Sequence, residues 1–201
     1  VGSEMCIRDS LPYERYFVDD ALISREDDVT FVDCGAYDGD TIADFQRNFG
    51  KRLKKVYAFE PNPQTYSSLQ QNLRSMGLCD LSETFCCGVS DQPGSVRFTQ
   101  NKTMSFIDPN GTIEIAIRTL DDCVGEVTGS LYIKMDIEGF EIPALRGAAR
   151  LIEKYHPYMA ICTYHKWDDY IEIPETIKAI RDDYEFYLRG GMHSICHAVP
   201  R

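Results

Sequence analysis

Three short segments constrain this chain most: Phe31-Val-Asp-Cys-Gly-Ala-Tyr-Asp-Gly-Asp40, Tyr57-Ala-Phe-Glu60 and Leu131-Tyr-Ile-Lys-Met-Asp-Ile-Glu-Gly139. Each is an apolar run that ends in glycine or a carboxylate. Short apolar runs closed by turn residues read as strands buried on both faces, the kind found in an open, mostly parallel α/β sheet. In that architecture ligands sit outside the carboxyl ends of the strands, where these polar residues fall, and a nucleoside-bearing cofactor fits such a place.

The rest of the pattern supports alternating strands and helices. After the run Val29 to Cys34, Ile42, Phe45 and Phe49 recur at helical spacing between Asp40 and Phe49. A second strand is predicted from Lys55 to Glu60. Asn62 is placed to cap a helix through Met76, with Tyr66, Leu69 and Leu73 on its apolar stripe and Gly77 ending it. A third strand is predicted from Glu83 to Val89. Between Asp91 and Leu120 the period changes to alternation around two turns, Gln92-Pro-Gly94 and Pro109-Asn-Gly111, which reads as a β insertion. Leu131 to Met135 is the next strand, with a helix from near Glu141 that carries Pro143 in its first turn. Pro157 to Tyr164 is a strand, Pro174 to Asp183 a helix, and Tyr184 to Leu188 with Ser194 to Val199 a closing hairpin.

The chain has 201 residues and 43% hydrophobic composition, enough for one core. Val1 to Ser10 carries no periodic pattern and reads as a vector or adapter remnant, which leaves one domain over residues 11–201. Asp and Glu outnumber Lys and Arg 32 to 21, a formal charge of -11, so a nucleic-acid partner is not expected. The run Lys51 to Lys55 reads as a solvated connection. Cys34, Cys86, Cys87 and Cys162 fall in apolar runs with no CxxC pair, and they read as small buried hydrophobes in a reducing compartment. No apolar run approaches the roughly 20 residues of a membrane span, and the start lacks a signal-peptide pattern, so a cytoplasmic protein is expected.

The chemistry lies at the strand ends. Gly35 and Gly39 in the first turn can let a ligand approach the backbone and the start of the following helix. Glu60, about 20 to 30 residues further on, stands where a ribose-binding carboxylate belongs, a reading favoured over that of a cap for the helix after Pro61-Asn62-Pro63. A nicotinamide dinucleotide would want G-x-G-x-x-G, whereas here Tyr37, Asp38 and Asp40 occupy the turn. Acidic side chains repel a pyrophosphate but accept hydrogen bonds from an ammonium group, so the turn prefers a cofactor with a cationic amino-acid end. Asp136, Glu138 and Glu141 crowd the end of the fourth strand; Glu141 reads best as a helix-dipole carboxylate. Repulsion between Asp136 and Glu138 would raise one pKa and create a general base. His165 lies at the same sheet edge, whereas His156, His193 and His197 read as structural or solvated. Asp136, Glu138 and Asp168 also offer hard oxygen ligands, yet no tight spacing demands a metal, and none is assigned.

These segments resemble the FkbM family of S-adenosylmethionine-dependent methyltransferases over nearly the whole chain from about Tyr13. Asp33 to Gly39 looks like the cofactor loop, Phe59 to Asn62 the ribose-binding strand end, and Gly88-Val-Ser-Asp91 the adenine-side turn. Leu120-Asp-Asp122 and Lys134-Met-Asp-Ile-Glu-Gly-Phe-Glu141 resemble the remaining recurring segments, and the last is the most specific. Tyr164-His-Lys166 through Pro174 and Tyr187-Leu-Arg189 are similar to the family's carboxyl-terminal part. Tyr37 departs from the Asn often found there.

The resemblance implies a Rossmann-like, seven-stranded α/β methyltransferase sheet with helices on both faces and a β insertion after strand 3. It implies S-adenosyl-L-methionine as cofactor and O-methylation of a hydroxyl on a sugar or natural product. Asp33, Gly35, Tyr37 and Gly39 would then serve the methionine end, Glu60 with Pro61 and Asn62 the ribose-binding strand end, and Val89 and Ser90 the adenine side. Asp136 would lie beside the sulfonium, with Glu138 or His165 as base. Met104-Ser-Phe106, Tyr164 and Trp167 would wall the acceptor pocket. A catalytically silent cofactor-binding subunit and a nicotinamide oxidoreductase are the alternatives.

Overall fold

The computed structural model describes residues 16–17, 28–100, 105–107 and 113–201. The expectations for Val1 to Ser10 and for Met104 lie outside these residues. In chain order the elements are β1 (Val29–Cys34), α1 (Asp40–Phe49), β2 (Leu53–Phe59), α2 (Pro63–Ser75), β3 (Ser82–Phe85), β4 (Gly88–Val89), β5 (Gly94–Gln100), β6 (Ser105–Ile107) and β7 (Ile113–Arg118). There follow α3 (Leu120–Cys123), β8 (Ser130–Met135), α4 (Glu141–Arg146), α5 (Ala149–Tyr155), β9 (Tyr158–Cys162), α6 (Asp169–Ile180), β10 (Tyr184–Arg189) and β11 (Ile195–Pro200).

Seven strands form one sheet in the order β10-β11-β9-β8-β1-β2-β3. β1 runs parallel to both β2 and β8, and only β11 runs against its neighbours β9 and β10. β1 is buried at every position because the sheet is covered twice. Phe31 joins Phe45, Phe49, Leu69 and Leu73 of α1 and α2 on one face, and Val32 joins Leu120, Leu145, Ile152 and Ile177 of α3 to α6 on the other. The period of two along a strand thus divides its side chains between two apolar layers. The Rossmann-like sheet with helices on both faces is as the sequence predicts.

The insertion is a second sheet, in the order β4-β7-β5-β6. The strand predicted from Glu83 to Val89 is in fact two. β3 ends where Phe85 O accepts the Glu60 N–H at 3.1 Å, and after Cys86 and Cys87 the chain passes into the second sheet. Gly88 permits this, since a Cβ there would lie 2.8 Å from Ile117 Cδ1 of its partner β7. Cys86 is exposed rather than buried as expected, because it falls in the gap between the two sheets' strands; Cys34, Cys87 and Cys162 are buried.

The last helix starts at Asp169, five residues before the predicted Pro174. Asp168 O accepts the N–H groups of Ile171 and Glu172, and this earlier start lets Ile173 and Ile177 share one buried face. Asn62 caps α2 as predicted: its side chain accepts from Gln64 N at 2.9 Å and Thr65 N at 3.3 Å. Among the described residues, no helix is long and apolar enough to cross a membrane.

Candidate active site

Strands β1, β2 and β3 succeed one another to one side of β1, while β8 and β9 lie to the other. The order therefore reverses between β1 and β8, and the crevice of an open α/β sheet opens at such a reversal. On one side of it, the turn after β1 is pinned to β2: Gly35 N and Ala36 N both donate to Phe59 O at 3.0 Å. Tyr37 N donates to Glu60 Oε2 at 3.0 Å, and Asn62 N to Glu60 Oε1 at 2.8 Å. Burial lifts the Glu60 carboxyl above its ordinary pKa, against the pull of these two N–H groups. The Tyr37 side chain is exposed at this edge.

Gly35 is glycine for a reason within the protein. Its φ is +77°, and a Cβ would fall 2.0 Å from the backbone oxygen of Asp136. Close passage of β8, rather than approach of a ligand, is what the structure itself requires there.

Asp33 is fully buried beneath this turn. Lys134, in the middle of apolar β8, places Nζ 2.9 Å from Asp33 Oδ1 and donates to Gly35 O at 2.7 Å. Burial raises the Asp33 pKa to about 6 in spite of Lys134. Burial lowers that of Lys134, but Asp33 and Asp136 outweigh it and the net shift is upward. The Asp33 carboxylate therefore lies behind the loop and shapes it through Lys134.

Across the crevice, Asp136 immediately follows β8. Tyr164 OH donates to its Oδ1 at 2.7 Å and Tyr16 OH to its Oδ2 at 2.8 Å. Burial works to raise its pKa, yet Lys134 and the two phenols overcome it and the net shift is downward. The raised carboxyl expected from repulsion with Glu138 is absent at Asp136, because hydrogen-bond donors and a cation surround it. Glu138 points into solvent, its side chain 77% exposed, from a backbone with φ +55° beside Gly139 at +90°.

His165 joins the group from the end of β9. Its Nδ1 lies 2.9 Å from Glu141 Oε1, and its Nε2 lies 3.4 Å from Asp136 Oδ1 and 3.7 Å from Glu138 Oε2. Burial lowers the His165 pKa, but the hydrogen bond and charge of Glu141, with Asp136 and Glu138, carry it upward overall. Glu141 is buried, and its Oε1 also accepts from Ile137 N at 2.9 Å, so it does more than meet a helix dipole.

Sheet topology thus brings together Asp33, Gly35, Tyr37 and Glu60 on one side and Asp136, Glu138 and His165 on the other. Gly39 is the residue before α1, with φ +90°. Asn62 is committed to its helix. Val89 packs in the core, while Ser90 N donates to Arg118 O at 3.0 Å and Ser90 Oγ bonds to Asp91. Cys86 approaches Pro61 O at 4.0 Å. Asp121 is structural, accepting from Arg150 N and Leu151 N at the start of α5. Of the other histidines, His156 caps α5, His197 is buried, and exposed His193 packs its ring 5.1 Å from Tyr164. Among the described residues no group of three or more His, Cys, Asp or Glu is arranged to hold a metal, and Asp168 sits at the start of α6.

Sequence reasoning assigned no role to Lys134 or Tyr16. A lysine inside an apolar strand was the available signal for the first. Tyr16 is 120 residues from Asp136 in the chain and gave none.

A family model described as the methyltransferase FkbM domain matches residues 33–186. The crystal structure of a methyltransferase FkbM from Methylobacillus flagellatus KT is similar with a TM-score of 0.77 and 26% identity, over 94% of this chain and 48% of that one. Methyltransferase 1 of Beauveria bassiana is 26% identical over 149 residues, 60% of this chain and 59% of the relative. The hexuronic acid methyltransferase AglP of Haloferax volcanii is 31% identical over 108 residues, 49% of this chain and 43% of the relative. The chain spans about half the length of these proteins. With the family model covering the sheet from the end of β1 into β10, the chain belongs to the FkbM family of S-adenosylmethionine-dependent methyltransferases.

Proposed function

We propose that this protein transfers a methyl group from S-adenosylmethionine to a hydroxyl oxygen on a sugar or natural product. The observation that carries this reading is the pair of polar clusters facing each other across the β1/β8 reversal. One is built on the Tyr37–Glu60 hydrogen bond, the other on Asp136, Glu138 and His165.

The donor set fits the cofactor. Glu60 uses each carboxylate oxygen for one backbone N–H and keeps lone pairs for the ribose hydroxyls. The turn Gly35 to Gly39, lined by Tyr37 and acidic residues, suits the methionine end, with Asp33 acting from behind through Lys134. Pro61 and Asn62 continue the ribose-binding strand end, and Val89 and Ser90 flank the adenine side. Asp136, its pKa held down by Lys134 and two phenols, suits a neighbouring positive charge. When bound, S-adenosylmethionine supplies a methyl group already activated on a positively charged sulfur.

The chain's own task is to orient the acceptor and take its proton. Asp136 has a hydrogen bond on each oxygen and a depressed pKa, which makes it a poor base. His165 Nε2 is buried. Glu138 is exposed and free of such hydrogen bonds among the described residues, which suits its carboxylate to take the hydroxyl proton, with His165 Nε2 3.7 Å from its Oε2. Tyr164 and Trp167 offer aromatic surface for a ring. A sugar acceptor takes support from the matched hexuronic acid methyltransferase.

Calorimetric titration with S-adenosylhomocysteine and with NADH tests the reading, followed by a screen of hydroxyl acceptors. Saturable binding of the first alone supports it. Binding without transfer to any acceptor would point instead to a silent subunit.

A further inference from the structure

We infer that Glu141 is a positioning residue, whose buried carboxylate uses one oxygen, Oε1, to tie the backbone turn carrying Glu138 to the imidazole of His165. The inference rests on the methyl-transfer reading only for the task it gives Glu138.

Oε1 accepts from Ile137 N and meets His165 Nδ1, both at 2.9 Å, while the residue is 1% exposed. An ionised carboxylate only accepts, so the proton on the ring sits at Nδ1 and Nε2 is the atom turned toward Asp136 and Glu138. The same oxygen restrains the segment before Glu138 and Gly139, two successive residues with positive φ, a backbone that persists only where its surroundings hold it. Glu141 thus fixes both the ring and the turn.

The groups facing His165 come from every neighbouring element. Glu141 starts α4, Asp136 and Glu138 follow β8, Tyr164 packs its ring 4.2 Å away, and Lys166 and Asp169 lead into α6. Of these, Glu141 makes the closest polar contact to the ring and supplies the largest upward influence on its titration.

The test is NMR titration of the His165 imidazole in the full chain, for wild type, Glu141→Gln and Glu141→Ala, with S-adenosylhomocysteine binding measured alongside. Glu141→Gln keeps an acceptor oxygen but removes the charge. It is expected to keep the Nδ1-protonated ring and lower the titration midpoint, while Glu141→Ala loses the tautomer preference as well. A merely structural glutamate would leave the Glu141→Gln midpoint at the wild-type value, and that result overturns the inference. If the midpoint falls yet wild-type protein binds no S-adenosylhomocysteine, the positioning role stands and the proposed function fails.

Discussion

Tyr37 donates its backbone N–H to Glu60 Oε2 at 3.0 Å, so the turn after β1 and the carboxylate that ends β2 form one unit. Removing the carboxylate frees the turn as well as the binding group. Glu60→Ala is expected to weaken S-adenosylhomocysteine binding about 10- to 100-fold, the worth of one or two hydrogen bonds to a charged group. Calorimetry reads this directly, and unchanged affinity would remove Glu60 from the site.

The buried Lys134–Asp33 pair makes a sharper demand on stability. Lys134→Met strands a fully buried carboxylate and is expected to cost about 3–5 kcal/mol in urea unfolding. Adding Asp33→Asn should recover part of the loss, because the stranded charge is gone. A double variant less stable than the single one would show that the pair does not act as described.

Gly35→Ala places a methyl 2.0 Å from the Asp136 carbonyl oxygen at φ +77°. Gly77→Ala has a similar φ of +71° but open space around it. The second variant is expected to lose about 1 kcal/mol from backbone strain alone. The first should lose clearly more and disturb cofactor binding too, since β1 and β8 would be forced apart. Comparable thermal midpoints for the two would contradict this account.

His165 carries a pH dependence of known sign. Its pKa is raised in the folded protein, so protonation favours folding. That contribution is complete below about 6.5, the value of a free imidazole, and fades as pH rises through the higher folded value. The stability gap between wild type and His165→Asn should therefore be widest in mild acid and narrow on the alkaline side. Urea unfolding at several pH values measures it, and a gap that widens with pH has the wrong sign.

Much of the architecture was legible because it depends on local pattern. Val29 to Cys34 and Leu131 to Met135 are apolar runs that only a doubly covered sheet can bury, and Asn62 is a helix cap by its side-chain chemistry. The positions of Glu60 and Asp136 at strand ends followed from the same pattern. The break at Cys86 and Cys87 did not, because it depends on which sheet each strand joins, and apolar content does not record that. The early start of α6 was likewise hidden by Pro174, whose tolerance depends on the buried face formed by Ile173 and Ile177.

The sequence by itself determined the strand and helix order, the acidic turn after β1 and the set of carboxylates at the carboxyl edge, since these follow from residue type and spacing. Only the tertiary structure decided how those carboxylates differ. Asp33 meets Lys134, Asp136 meets two phenols from Tyr16 and Tyr164, Glu141 meets His165, and Glu138 meets solvent. The ionisation and reach of a carboxylate are set by burial and by the donors within a few ångströms, and these neighbours come from segments distant in the chain.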